Sequence, residues 1–210
     1  MKPGMKDAQE LSSVGILGGS FDPIHYGHLA LAEEARVALG LDQVLILPTA
    51  YQPLKGGAHA ASPLQRLHMA ELACRTNPAF MPSAIEIERS GLSYTIDTLQ
   101  VLRTQYSGIL YFILGADALM DLPRWRAIEH ILQIAHIIAV RRPGTDLDLD
   151  TLKSNLPDLE PRLTLLDGPH MHISSREIRR RVALGRPIRY LCPDAVVDYI
   201  VDQELYRADS

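Results

Sequence analysis

Short runs of strand character alternate along this chain with stretches of helical periodicity, and that alternation is the feature that most narrows the fold. The runs are Val14 to Gly18, Val44 to Leu47, Ala84 to Glu88, Leu110 to Leu114, Ile137 to Val140 and Leu163 to Leu166. Several are almost wholly apolar, which suits strands covered on both faces. Strand and helix in repetition predict an α/β fold, a parallel sheet wrapped by helices.

The helical stretches carry their own punctuation. Leu31, Ala35, Ala38 and Leu39 recur at helical spacing ahead of Gly40, a natural stop. Ser62, Pro63 and Gln65 supply an N-cap, a first-turn proline and a capping-box partner, so a helix starts there. Leu99, Leu102 and Tyr106 mark a third helix before Gly108. Ser174 and Glu177 have capping-box spacing at the start of another, which stops near Gly185. A last helix starts at Pro193 and is expected to bury Val196, Val197, Ile200 and Val201. The acidic segment Pro143 to Asp150, with its proline and glycine, reads as an exposed loop. The 210 residues fit one domain over 14–210 behind a short tail over 1–13.

Composition removes several functional classes. Hydrophobic residues make up 47% and charged residues 22%, near the globular average, so disorder is not indicated. No apolar run reaches the roughly 18 residues that a membrane-spanning helix needs. The lysines of the N-terminal stretch precede no apolar signal core. A formal net charge of −4 argues against a general nucleic-acid binder. Cys74 and Cys192 stand far apart and form no metal or redox spacing, which fits a reduced, cytoplasmic setting.

Chemistry concentrates after the first strand. Gly18-Gly19-Ser20-Phe21-Asp22-Pro23-Ile24-His25-Tyr26-Gly27-His28 joins that strand to the first helix. In an open parallel sheet such a strand end is where ligands bind. Gly18 and Gly19 let a phosphate approach backbone N–H groups, and the following helix adds its positive N-terminus. A Gly-Gly pair alone is equally a tight turn. The segment is neither GxGxxG nor GxxxxGK[ST], so it supports neither a dinucleotide-binding dehydrogenase nor a P-loop kinase. His25 and His28, with Gly27 between them, can face one anion if the helix begins near His28. An isolated histidine is more often an ordinary surface or core residue. Zinc is a rival ligand, although this HxxH lacks the glutamate of HExxH and an obvious third ligand.

Ser174, Ser175 and Arg179 form a second candidate anion site, with hydroxyls at a helix start and a guanidinium one turn on. The same residues fit an ordinary capped and solvated basic helix.

The segment Gly18 to His28 resembles the signature of the HxGH nucleotidyltransferase superfamily, and the chain from Val14 to Tyr206 resembles its nicotinate mononucleotide adenylyltransferase branch. That resemblance implies a Rossmann-like, doubly wound parallel sheet with a C-terminal helical portion. It implies that His25 and His28 contact the phosphates of ATP and stabilise the leaving pyrophosphate. Gly18, Gly19, Ser20 and Phe21 would line ATP, and Ser20 and Phe21 would also meet the mononucleotide. Ile173 to Arg179 is similar to the family's ISSTxIR motif, which puts Ser174, Ser175 and Arg179 on the triphosphate, with Arg176 standing where threonine is usual. Ser93 to Leu99 resembles the SYTxDTL element, whose threonine, here Thr95, helps bind the nicotinate end. Trp125 matches the tryptophan that lines or stacks on the pyridine ring, a role its large π face suits, although a lone tryptophan is more often packing. Gly115 and Asp117 resemble a strand-end GxD element, the glycine for close backbone approach and the aspartate for ribose hydroxyls. Arg141-Arg142-Pro143-Gly144 resembles the family's RRPG turn, structural or weakly phosphate-binding. One departure stands out: Gln52-Pro53-Leu54-Lys55 replaces PPHK or PPHR, so a phosphate contact there rests on Lys55 alone.

The implied reaction transfers the adenylyl group of ATP to nicotinate mononucleotide, giving deamido-NAD (nicotinate adenine dinucleotide) and pyrophosphate in NAD biosynthesis. The implied Mg²⁺ is held mainly by ATP phosphates and waters, not by a protein cage. Phosphopantetheine adenylyltransferase and the cytidylyltransferases share HxGH and the fold, but the SYT element, Trp125 and the ISSxEIR form favour the pyridine-nucleotide branch. A nucleotide-binding regulator without catalysis is the alternative from another class, and retention of both histidines speaks against it. Neither nucleic acid nor membrane is expected as a partner. Thr95 and Trp125, with the bacterial-type spacing of the whole chain, further imply preference for the acid over nicotinamide mononucleotide.

Overall fold

Backbone amides buried between helices must pair with one another, and here they do so in a six-stranded parallel sheet. The computed structural model describes residues 10–51, 59–141, 147–169 and 171–208. Strands β1 (Ser13–Gly19), β2 (Gln43–Pro48), β3 (Phe80–Pro82), β4 (Ile109–Gly115), β5 (Ala135–Arg141) and β6 (Leu163–Asp167) lie in the order β3-β2-β1-β4-β5-β6. The order reverses at β1, which is the doubly wound, Rossmann-like arrangement expected. The accompanying helices are α1 (Tyr26–Leu39), α2 (Pro63–Cys74), α3 (Ile85–Arg89), α4 (Thr95–Gln105), α5 (Ala116–Leu119), α6 (Ile128–Ile134), α7 (Leu149–Asn155), α8 (Ser175–Ala183) and α9 (Asp194–Asp202).

The described residues fall into two compact units. One takes in the described parts of Met1–Leu17, Leu31–Leu45 and Tyr94–His170. Its register pairs Val14 with Leu110, Leu110 with Ala135 and Ile137 with Leu163. Val14, Ile16, Leu110, Ile113, Ile137 and Ile138 are fully buried, the strand pattern of a sheet covered on both faces. β6 is only half-buried, as an edge strand should be. Helix α1 stops where its glycine stands: Gly40 sits at φ +60, and the Leu41 N–H closes on the Arg36 carbonyl at 2.9 Å. Its buried positions are Ala32 and Ala35, and the sequence-predicted Ala38 faces solvent.

The other unit takes in Gly18–Ala30, Ile46–Ser93 and the described part of Met171–Ser210. Helix α2 begins with the capping box the sequence announces: the Gln65 N–H donates to Ser62 Oγ (3.3 Å) and the Ser62 N–H to Gln65 Oε1 (2.9 Å). It packs against α9, where the His68 and Tyr199 rings approach to 4.7 Å between centroids.

Four sequence expectations need correction. Ala84 to Glu88 is not a strand, because it lies mostly within α3. The strand beside β2 is Phe80–Pro82, and Pro82 ends it because proline brings no N–H to a ladder. Alternating isoleucine and glutamate then misleads: Glu86 turns inward while Ile85 and Ile87 are half-exposed. Val201 is 56% exposed, since α9 points Val196, Val197 and Ile200 inward and the next position rotates past that face. Ser174 accepts the Glu177 N–H, but the Glu177 carboxylate takes Arg180 and Arg181, so half a capping box forms. Leu149 and Asp150 open α7 under an Asp148 cap rather than closing a loop; 142–146 lie outside the described residues.

Among the described residues no helix is long and apolar enough to cross a membrane. Cys74 and Cys192 are both buried and free, and desolvation pushes each thiol up to about 12. A thiol in the unfolded chain ionises near 9.0. The raised folded value favours the protonated form, so the associated stability is complete below the unfolded value and is lost as pH rises through the folded one. In urea unfolding the difference between the unmodified protein and Cys74→Ala/Cys192→Ala is expected to stay constant up to about pH 9, and toward pH 12 the unmodified protein loses stability that the variant keeps. Without denaturant at neutral pH, a thiol reagent should label neither residue; rapid labelling contradicts their burial.

Candidate active site

The loop after β1 enters α1 through a pair of stacked imidazoles. The His25 carbonyl accepts the N–H groups of His28 (2.9 Å) and Leu29 (3.3 Å), so the helix begins one residue after His25 and the two rings lie within a single turn of each other. Their centroids lie 3.6 Å apart with planes 19° from parallel. The expected helix start near His28 thus moves back to Tyr26. The His25 N–H donates to His28 Nδ1 at 3.3 Å, which leaves the neutral ring its proton on Nε2. Phe21, fully buried at φ +47, meets His28 edge-on at 5.0 Å. Gly27 fits this arrangement for a steric reason, because a Cβ there would stand 3.1 Å from the His25 ring.

A buried carboxylate fixes the middle of the same loop. Asp22, 3% exposed, accepts the Ala60 N–H at Oδ2 (2.8 Å), the Ala61 N–H at Oδ1 (3.2 Å) and the Tyr206 hydroxyl at Oδ1 (2.7 Å). Its backbone carbonyl accepts from Arg179 Nη1 at 2.6 Å, and its Oδ2 lies 3.9 Å from the same nitrogen. Ser175 Oγ donates to the Pro23 carbonyl at 2.9 Å, so the start of α8 is tied to the histidine loop by two side chains. Burial, with Asp22 beside it, pushes the Tyr206 phenol well above the ordinary tyrosine range and keeps it a neutral donor.

These contacts sort the arginines of α8. Arg179 is turned to the loop and is 34% exposed, half-buried where the sequence suggests a solvated residue. Arg180 is exposed and engaged by Glu177 at 2.7 Å, and Arg176 is exposed. Ser174 caps the helix, with Ser175 and Arg179 one turn apart on the loop side.

Arg66 is the residue that sequence reasoning missed. It is fully buried on α2 and holds three loop carbonyls at once: Ser20 from Nη1 (2.7 Å), Ala50 from Nη2 (3.1 Å) and Ala61 from Nε (3.3 Å). Burial lowers its pKa and the Asp22 charge opposes that shift. A signal was present in the spacing, since Arg66 shares a helical face with the buried Met69, Ala70 and Ala73. Ser93 was also under-read: its hydroxyl accepts the Ala50 N–H at 3.0 Å, and its own N–H donates to Tyr51.

In the other unit, Thr95 opens α4 directly after Tyr94, whose ring lies 4.7 Å beneath the Arg126 guanidinium. Trp125 is half-buried and meets Phe112 of β4 edge-on at 5.5 Å. Arg124 pairs with Asp121 on the surface. Gly115 ends β4 with nothing within 4 Å of where a Cβ would stand, so the surrounding protein itself does not require a glycine there. Asp117 is exposed in α5. Lys55, Leu54 and the RRPG residues Arg142, Pro143 and Gly144 lie outside the described residues, as do 56–58 of the segment that leads to α2. The far end of that segment is held at Ala60 and Ala61 by Asp22. Among the described residues no three of His, Cys, Asp and Glu gather as a metal site.

A family model described as Cytidylyltransferase-like matches residues 16–181, and the chain belongs to that family of nucleotidyltransferases. A probable nicotinate-nucleotide adenylyltransferase of Roseiflexus sp. (strain RS-1) is 60% identical over 194 residues, covering 92% of this chain and 98% of that protein. Another, of Herpetosiphon aurantiacus, is 51% identical over 199 residues, covering 94% and 100%. Within the family, then, the chain falls among the nicotinate-nucleotide adenylyltransferases. Its fold is similar to that of Plasmodium falciparum nicotinic acid mononucleotide adenylyltransferase complexed with NaAD, with a TM-score of 0.76 at 21% identity, covering 93% of this chain and 97% of that one.

Arg66 generates a stability prediction. Arg66→Met leaves the carbonyls of Ser20, Ala50 and Ala61 without their donor and removes one of the positive charges near Asp22, at an expected cost of about 3–5 kcal/mol in urea unfolding. Arg66→Lys keeps the charge but has one compact head for three acceptors, and is expected to lose less. A change under about 1 kcal/mol for Arg66→Met would show that these hydrogen bonds contribute little.

Proposed function

We propose that this nicotinate-nucleotide adenylyltransferase takes MgATP and nicotinate mononucleotide and joins them through the histidine loop. The observation that carries the reading is the stacked pair His25 and His28, in which His28 Nδ1 is occupied by a backbone N–H and its donor is therefore Nε2. Two ring donors fixed beside a glycine turn suit the phosphates of a nucleoside triphosphate.

In the reaction, a phosphate oxygen of the mononucleotide attacks the α-phosphorus of ATP in line with the bond to the bridging oxygen. The new P–O bond forms as the α–β bridge breaks, and pyrophosphate leaves with that oxygen. The attacking group is anionic near neutral pH, so the enzyme supplies no strong base. Its work is alignment and neutralisation of the charge that develops on pyrophosphate. His25 and His28 donate to the phosphates. The N–H groups of Gly18, Gly19, Ser20 and Phe21 and the start of α8, with Ser174, Ser175 and Arg179, hold the triphosphate. Lys55 supplies a further cation on the phosphates. A Mg²⁺ bound through the ATP phosphates would offset part of their charge and would ask no ligand cage of the protein. This fits the donor set, because Asp22, the carboxylate nearest in sequence to the histidines, is already occupied by three donors. Gly115 and Asp117 accept the nucleotide sugar, and Thr95 and Trp125 receive the pyridine end.

Acid preference follows from the chemistry of that end. Thr95 and backbone N–H groups donate to a carboxylate, whereas the NH₂ of a carboxamide meets another donor. Arg126, held over the ring of Tyr94, the residue before Thr95, is a further positive charge in this part of the chain. Such a mismatch costs roughly 1–3 kcal/mol, about fivefold to over a hundredfold in kcat/KM. Pyrophosphate release measured with each mononucleotide at equal ATP and Mg²⁺ tests this; equal kcat/KM values, or preference for the amide, would remove the carboxylate-selective pocket. His25→Ala and His28→Ala are expected to lower kcat by about 10²-fold with a smaller change in the ATP KM. Near-normal turnover in both variants would overturn the assignment of the loop to chemistry.

A further inference from the structure

We propose that Tyr206, near the end of the chain, is a positioning residue for adenylyl transfer: through Asp22 it sets the placement of the loop that presents His25 and His28. The proposal rests on the functional reading above and concerns the same histidines.

Tyr206 reaches back across the sequence to donate its hydroxyl to Asp22 Oδ1 at 2.7 Å. That carboxylate is 3% exposed, so its partners are the protein's own donors: Tyr206, Ala60 N and Ala61 N, with Arg179 close by. Removing the hydroxyl deletes the shortest of the three bonds to the carboxylate and leaves Oδ1 with the 3.2 Å contact from Ala61. A buried carboxylate that loses a donor shifts to recover one.

Asp22 lies between the residues that such a shift would move. Phe21 precedes it and sets its ring edge-on against His28. His25 follows three residues later and stacks on His28. A displacement of Asp22 therefore acts on the imidazole pair from both ends of the loop, where preorganised donors lose effect steeply with misplacement. The backbone is strained at Tyr206, φ +63, and at Phe21, φ +47, the residue before Asp22, in a region that residues other than glycine rarely adopt. Leu205, buried, and its N–H bond to the Ile200 carbonyl (3.0 Å) anchor the turn that delivers Tyr206.

Tyr206→Phe keeps the ring and removes only the hydroxyl. Steady-state pyrophosphate release with ATP and nicotinate mononucleotide, at a temperature well below melting, is expected to show kcat down about tenfold with both KM values within about threefold. A purely structural role moves the melting temperature and leaves kcat of the folded protein alone. Asp22→Asn, close in size, supplies the second variant and completes a double-mutant cycle. If Tyr206 acts through Asp22, the doubly substituted enzyme loses little more kcat than the worse single variant, whereas independent effects multiply. Turnover within twofold of the unmodified enzyme for Tyr206→Phe, or multiplying losses in the cycle, would overturn the positioning role while leaving the reaction in place. If Tyr206→Phe does not fold, hydrogen exchange on folded Asp22→Asn decides: faster exchange confined to 20–28 and 59–61 supports the latch, and unchanged exchange there overturns it. An unmodified enzyme that releases no pyrophosphate overturns the functional reading and this role together.

Discussion

A guanidinium without solvent is expensive to keep charged, and Arg66 is kept so by what it holds. Its three nitrogens take the carbonyls of Ser20, Ala50 and Ala61, which belong to the turn after β1, the segment after β2 and the approach to α2. Each of those carbonyls would otherwise be a polar atom in need of a donor in a crowded place. Asp22 does the complementary task, collecting N–H groups from Ala60 and Ala61. An acceptor and a donor thus face the same short segment, and the Asp22 charge offsets part of what burial costs the Arg66 guanidinium. The loop that carries the histidines is held by side chains that never need to touch a substrate.

That support gives the histidine pair its character. Rings stacked at 3.6 Å have few alternatives to the conformation they adopt, and a backbone N–H at His28 Nδ1 removes a further one. Gly27 eases the packing, because a Cβ there would press on the His25 ring at 3.1 Å. Electrostatic catalysis of phosphoryl chemistry requires donors already in place, and under the proposed function these contacts would hold the two rings ready. Arg179 shares in holding the loop, as its Nη1 reaches from α8 to bind the Asp22 carbonyl.

Elements whose local signals agree with their surroundings were legible in the sequence. The strands β1, β2, β4, β5 and β6, the capping box of α2 and the glycine stop of α1 all match, since burial on two faces and unsatisfied helix ends impose their demands on nearby residues. The short alternation at Ala84 to Glu88 failed because five residues cannot distinguish a strand from a helix turn, and the choice fell to Phe80–Pro82 beside β2. Val201 failed by one helical step.

The sequence by itself determined the parallel α/β architecture, the glycine loop, the two histidines and the serine-arginine start of α8, because each is a contiguous pattern with a local physical reason. Only the tertiary structure decided what holds them. Tyr206 meets Asp22 across 184 residues, Arg179 meets it across 157, and Arg66 meets Ser20 across 46. Such pairings leave no periodicity and no spacing to read, since a buried hydrogen bond constrains where two groups lie in space and says nothing about how much chain runs between them.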